Sequence, residues 1–412
     1  MKRYKNIWIL FFTQLFTFSI IQAQETKVVF VIADGISEDI LKKLNTPNLD
    51  GITQQGAYIP AYVGGEKGGY SETPTISAVG YNSLLTGTWA NKHNVWNNYN
   101  QKPNYNYSTI FQVFKEAYPH KKTAVFSTWE DNRTVLLGEG LKETNDLKLD
   151  ISVDGLELDK ERFPHDDESQ YIHKIDEYVV DKASEKIRSD APDLTWVYLQ
   201  YTDDMGHRYG DSDAYFESIG ILDKQIGRLW SAIQYREKQF GERWRIYITT
   251  DHGRDAATGK HHGGQSDRER NIWIVTSQNR LNSYAKNHRV AITDLMPTIA
   301  RDLNVKLPET LLYENDGIPL VGEISLSHAS LTKEGNLLAL KWKAWQKKGK
   351  VDIYLSTENR FKKGEKEEYV KIKSVQLKEE KAKIDVSSFS SDFYKVVLVG
   401  EDNTTNVWFQ GE

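Results

Sequence analysis

Three stretches of this chain share one form: a run of β-branched and aromatic residues that ends at a carboxylate. Residues 28–33 stop at Asp34-Gly35, residues 194–200 lead to Asp203 and His207, and residues 243–249 run into Asp251-His252-Gly253. Such runs read as buried strands. Their acidic residues then lie just past the strands' carboxyl ends, where open α/β sheets hold their ligand sites. Neighbouring side chains of a regular strand point to opposite faces, so Asp251 and His252 can meet at one point only if the strand is already ending. One strand followed by a polar turn is ordinary. Three of them, two carrying a histidine, predict a shared polar centre.

The chain between and around these runs alternates in character. Helical patterns are expected over 37–44, 108–117, 170–188, 213–239 and 290–303, with Pro297 tolerated or kinking the last. Further strands are expected over 122–128 and 271–276. Alternating strands and helices predict an α/β fold: a mostly parallel central sheet with helices on both faces. Residues 138–168 are polar and aperiodic, and are expected to form an insertion or lid over the site. Beyond Pro308 the pattern changes to short alternating runs near 337, 351, 369, 382 and 394 with no helix between them. They predict a small all-β sandwich over 323–412, fibronectin-like or immunoglobulin-like.

Lys2, Arg3 and Lys5 precede an apolar stretch, and Ala23 offers a small residue for cleavage, so 1–23 reads as a signal peptide. That predicts a periplasmic or secreted protein with 24–322 as its main domain and no membrane span after cleavage. The chain has no cysteine, which excludes disulfides and lipid attachment through a thiol. Its net charge of −5 gives no basic footprint, so no stable nucleic-acid partner is expected.

Ser77 stands before a helix-like run that stops at Gly87. A serine there is ordinarily a helix cap. The same position attracts an anion, and a divalent metal beside it would turn the hydroxyl into a nucleophile.

In their order, these motifs resemble the alkaline phosphatase superfamily, and most closely its type I phosphodiesterase/nucleotide pyrophosphatase branch. The residues that carry the resemblance are Asp34, the 74–77 stretch ending in Ser77, the 83–87 stretch ending in Gly87, Asp203 with His207, Asp251-His252-Gly253, and His262-Gly-Gly264. It covers about 25 to 305 and leaves out the C-terminal strands. It implies two divalent metal ions. One would be held by Asp34, Asp251, His252 and the Ser77 oxygen, the other by Asp203, His207 and His262, with His261 as the rival for the last place. Mixed carboxylate and imidazole sets suit Zn2+ best. The resemblance also implies that Asn98, with Asn97 as its rival, donates to a phosphate oxygen. Lys160 and Arg162 are weaker candidates for substrate contact, and as bare sequence they read as surface charges.

Two departures bear on substrate class. The branch commonly uses threonine where this chain has Ser77, and Val79-Gly80 replaces its usual Pro-Asn. The expected function is a two-metal phosphoesterase that hydrolyses phosphodiesters or nucleotide pyrophosphates through a phosphoseryl intermediate. Its partner is a small phosphate-ester or nucleotide substrate. Phosphomonoester hydrolysis is the alternative within the superfamily, and a non-catalytic surface binding protein the alternative outside it. Sulfate esters are disfavoured, because residues 77–81 lack the Cys/Ser-x-Pro-x-Arg modification motif.

Overall fold

A computed structural model describes residues 25–411 apart from positions 100 and 390; the expected signal segment lies outside the described residues. At its centre is one eight-stranded sheet: β1 (Thr26–Ala33), β2 (Ala57–Tyr62), β3 (Thr123–Phe126), β4 (Ile151–Val153), β5 (Leu194–Leu199), β6 (Arg243–Thr249), β7 (Asn271–Thr276) and β8 (Val290–Ala291). The spatial order is β4-β3-β5-β1-β6-β7-β2-β8. All neighbours pair in parallel except at β7, which is antiparallel to both β6 and β2.

The three carboxylate-ending runs are therefore adjacent: β1 lies between β5 and β6. Register fixes their ends at one level, with Ala33 opposite Leu199 and Ile32 opposite Thr249. Along β1, Val28, Phe30 and Ile32 enter the core on one face, and Val29, Val31 and Ala33 the core on the other. Burial of each larger side chain stabilises the fold by roughly 1.5–3 kcal/mol, which accounts for the unbroken apolar runs. Helices Gln170–Ser189 and Asp213–Phe240 cover the second face, and Ser77–Thr86, Ile110–Ala117 and Leu295–Asp302 the first.

Three local expectations change. The 138–168 stretch is not wholly an insertion, because β4 within it extends the sheet beside β3. Three residues are too few to signal a strand by alternation. The helix expected from 290 begins only at Leu295, after β8 and a short 3-10 turn, so Pro297 falls in its first turn, where it costs no internal hydrogen bond. Strand β2 was not expected, since Pro60 argues against a strand interior. Its partner β8 reaches only Ala61 and Tyr62, so no bond to β8 is forfeited at Pro60.

The C-terminal part has seven antiparallel strands: β9 (Leu326–Glu334), β10 (Leu337–Ala344), β11 (Lys350–Ser356), β12 (Val370–Gln376), β13 (Lys381–Asp385), β14 (Phe393–Val399) and β15 (Thr404–Gln410). They form sheets ordered β13-β10-β9 and β12-β11-β14-β15 around one apolar core. Near the start of β14 the Tyr394 hydroxyl donates to the Phe389 carbonyl at 2.9 Å, pinning the corner in the manner of sandwich folds.

Buried charge joins this part to the α/β part. Lys92, fully buried, donates to Asp316 at 2.5 Å, to the Glu314 carbonyl at 2.7 Å and to Asn406 at 2.9 Å. Lys395, also fully buried, donates to Glu314 at 2.6 Å and Glu367 at 2.9 Å. Both ammonium groups lie 4.9 Å from the Trp408 ring, on which Tyr70 stacks.

Candidate active site and metal centre

The polar centre forms where the ends of β1, β5 and β6 meet. Asp34 follows β1 directly. Asp203 and His207 sit four residues apart on helix Tyr201–Tyr209, one turn from each other, so both face the same side. Asp251 and His252 follow β6 where its pairing has stopped, which frees both to turn inward. Ser77 is the first residue of helix Ser77–Thr86. The preceding residue, Ile76, occupies the cap position and makes no side-chain cap bond. The Ser77 hydroxyl is thus not a cap; its Oγ lies 3.2 Å from His252 Nε2.

Two constellations result. In the first, His252 Nε2 is 3.4 Å from Asp34 Oδ1 and 3.3 Å from Asp251 Oδ2, with Ser77 Oγ on the same nitrogen. In the second, His207 Nε2 is 3.3 Å from Asp203 Oδ2 and 3.0 Å from His262 Nε2. The rings of His252 and His262 stack at 3.6 Å, so the constellations share a wall. Asp203 also lies within reach of Asp34 and His252 and stands between the two.

The donor set fits bound metal cations on several independent counts. Asp34 Oδ1 and Asp251 Oδ2 are buried oxygens without a hydrogen-bond partner, which costs free energy unless something positive faces them. Their sister oxygens are occupied. Asp34 Oδ2 accepts from the Tyr81 hydroxyl and from Tyr198 at 2.7 Å, and Asp251 Oδ1 from the Gly35 amide at 3.1 Å. Each carboxylate is thereby left one free oxygen. The histidines are oriented alike: His252 Nδ1 faces the Gly253 carbonyl and His262 Nδ1 the Thr75 carbonyl, both at 2.9 Å. Those carbonyls take the Nδ1 protons and turn the Nε2 lone pairs inward, the usual arrangement of metal-binding imidazoles.

Charge points the same way. Burial pushes the Asp251 carboxyl well above its usual range, and the Asp34 charge adds to the effect. Burial works against protonation of His252, yet the Asp251 and Asp34 charges overcome it and lift the ring to about 9. A site that draws a proton this strongly has the attraction a cation would satisfy. Asp203 is held well below the usual range: burial opposes its charge, and the Arg254 guanidinium together with His207 and His252 outweighs burial. Burial, aided by the His252 charge, lowers His262 to about 3, which leaves it neutral as a ligand must be.

Of the predicted residues, Asp34, Ser77, Asp203, His207, Asp251, His252 and His262 are brought together. His261 is exposed, which leaves the place to His262. Asn98 Oδ1 accepts from the Ala78 amide at 2.9 Å, so its side chain sits at the start of the Ser77 helix. Asn97 is exposed, and its Oδ1 accepts from the Tyr99 amide beside it. Lys160 and Arg162 are not brought to this cluster: both are exposed, and Arg162 lies over the Tyr178 ring at 4.0 Å. Tyr81, Tyr198 and Arg254 were missed by sequence reasoning. Tyr81 stands four residues after Ser77, one helical turn on, and that spacing was the available signal.

Gly80 has a reason to be glycine. A Cβ there would lie 2.7 Å from the Asp251 carbonyl oxygen and 3.0 Å from its Cβ. Gly80→Ala is expected to push Asp251 out of line and weaken metal binding roughly 10–100-fold while the fold survives. Zinc titration followed beside a far-ultraviolet circular dichroism spectrum checks this.

A model of the family described as "Type I phosphodiesterase / nucleotide pyrophosphatase" matches residues 28–294. The chain belongs to that family. Among its relatives, human ectonucleotide pyrophosphatase/phosphodiesterase family member 7 is 24% identical over 249 residues, covering 56% of this chain and 48% of that protein. The 2,3-bisphosphoglycerate-independent phosphoglycerate mutase of Natronomonas pharaonis is 28% identical over 140 residues, covering 33% of this chain and 26% of the mutase. The match thus spans about half of the first relative and a quarter of the second. Among solved structures, a 2-O GAG sulfatase aligns with a TM-score of 0.51 at 12% identity, covering 89% of this chain and 86% of that one. That likeness concerns the fold. Among the described residues no helix is long and apolar enough to cross a membrane.

Proposed function

We propose that this family member is a two-metal phosphoesterase acting on phosphodiesters or nucleotide pyrophosphates, with Ser77 as nucleophile. The observation that carries the reading is the convergence of Ser77 Oγ with His252, Asp34 and Asp251 beside the Asp203, His207 and His262 set. Family membership and the relatives' printed names support the reaction class. Bound divalent cations, Zn2+ by ligand type, would supply Lewis acidity to the hydroxyl and to the phosphate oxygens.

The remaining steps belong to the chain. Asp34, Asp251 and His252 would hold one cation beside Ser77, and Asp203, His207 and His262 would hold the other. Ser77 Oγ gives up its proton and forms the bond to phosphorus as the ester P–O bond breaks. The leaving oxygen departs with a proton as an alcohol or a nucleotide. Water then attacks the phosphoseryl group, and Ser77 Oγ regains its hydrogen. Asn98 is anchored through Oδ1, and its Nδ2, which makes no hydrogen bond among the described residues, can donate to a phosphate oxygen. The charged and apolar pattern of 1–23 supports a periplasmic or secreted location.

Turnover of bis(p-nitrophenyl) phosphate by the zinc-loaded chain tests the proposal. A chain that takes up zinc and hydrolyses no phosphoester would support the binding-protein alternative instead. Asn98→Ala is expected to slow diester and matched monoester roughly 10–1,000-fold alike, the range for losing one preorganised donor. Lys160→Ala should leave the ratio of the two rates unchanged. A monoester preference that collapses in Lys160→Ala would favour the monoesterase reading.

A further inference from the structure

Arg254 is fully buried next to the site and has no part in the scheme above. It follows His252-Gly253 in sequence and reaches back across the centre. Its Nε donates to the Gly35 carbonyl at 2.9 Å, Nη1 to the Lys260 carbonyl at 3.2 Å, and Nη2 to the Asp203 carbonyl at 2.7 Å. Nη2 also donates to Asp203 Oδ1. One guanidinium therefore ties together the segments that carry Asp34, Asp203 and His262. The space around it is shaped for it. Gly206 lies between Asp203 and His207 on their shared helix, and a Cβ there would run into the guanidinium carbon. The Tyr215 ring flanks the group at 5.6 Å.

These contacts decide between two roles. An arginine that binds substrate phosphate must offer free donors to solvent. This one is enclosed, and Nε, Nη1 and Nη2 are all engaged by the protein. The geometry points to Arg254 as a positioning residue for the second cation set: it occupies Asp203 Oδ1, so that Oδ2 alone is presented beside His207 and His262. The inference rests on the two-cation reading. It has a chemical corollary. The Asp34 and Asp251 set carries two carboxylates and no arginine partner, whereas the Asp203 set has one carboxylate already paired with a fixed positive charge. The two sets are thus unequal, and loss of Arg254, which bonds the Asp203 carboxylate itself but only the backbone beside Asp34, bears mainly on the Asp203 set. Lysine does not replace it, since a point charge lacks the planar fork that engages Gly35, Asp203 and Lys260 together.

Zinc titration against a chromophoric chelator tests this in the full chain. The wild type should take two equivalents. Arg254→Met, Arg254→Lys and Gly206→Ala should each weaken one binding step 10–100-fold, the range for losing a group that orients a ligand, and the other much less. In a His207→Ala background, which disables the second set, Arg254→Met should shift the remaining constant less than tenfold. Gly206→Ala keeps the arginine and disturbs it from outside, so it stands if Arg254→Met does not fold. A wild type with two equivalents whose variants lose neither step, or lose both equally, overturns the positioning role. A wild type that takes fewer than two equivalents overturns the two-cation reading and this inference with it.

Discussion

Ser77→Ala should reduce kcat/KM for a phosphodiester by roughly 10^3–10^5-fold, because it removes the atom that bonds to phosphorus and leaves the surrounding charge in place. Ser77 is buried on a helix whose other residues are buried too, and alanine suits that position, so the fold should persist. Binding should survive with the activity gone: an unreacted nucleotide ought still to protect the variant against heat. Rapid acid quench followed by peptide mass spectrometry gives an independent check. The wild type should carry a phosphate on the peptide containing Ser77, and the variant none. A phosphate found on another residue, or a variant with near-normal turnover, would remove Ser77 from the mechanism.

Stripping the cations should have an effect of comparable size, on both activity and stability. Without them, the buried Asp34 and Asp251 face each other's charge, and two of their oxygens have no hydrogen-bond partner among the described residues. Dialysis against a chelator should abolish turnover and lower Tm. Binding at about 1,000 times Kd stabilises a fold by about 4 kcal/mol per site, or roughly 5 °C per site for a chain of this length. Zinc restored in calorimetry should return both properties together, in two steps if the sets differ as Arg254 implies. A chelated protein with unchanged Tm and full activity would mean that the orphaned oxygens are met in some other way.

The parts of this site that could be read in the sequence are those that parallel pairing dictates. A buried strand is recognisable by composition, and its end is where the next residue turns polar, so Asp34, Asp203 and Asp251 declared themselves. Ser77 did not. A serine before a helix is ambiguous, and only the resemblance in motif order singled it out; the structure then put Ile76 in the cap position. Tyr81, Tyr198 and Arg254 were illegible for a different reason. Each lies in a context that already has an explanation, as core aromatic or turn charge, and its role depends on which carboxylate oxygen it meets. The C-terminal sheets were foreseen through five of seven strands. Strand β9 is mostly polar and half exposed, and β15 follows a short turn, so neither stands out by alternation.

Lys92 and Lys395 have a consequence for how the molecule holds together. Each ammonium group is sealed in the seam: Lys92 is met by Asp316 of the connecting segment and Asn406 of the sandwich, Lys395 by Glu314 of the connecting segment and Glu367 of the sandwich. Removing one side of such an arrangement strands a charge in an apolar setting, at a cost of about 3–5 kcal/mol. The β-rich tail is therefore no detachable appendage. Cutting it away would expose the ring of Tyr70, take Asn406 from the Lys92 ammonium and strip the buried Glu314 carboxylate of Lys395, so both halves should melt in a single transition.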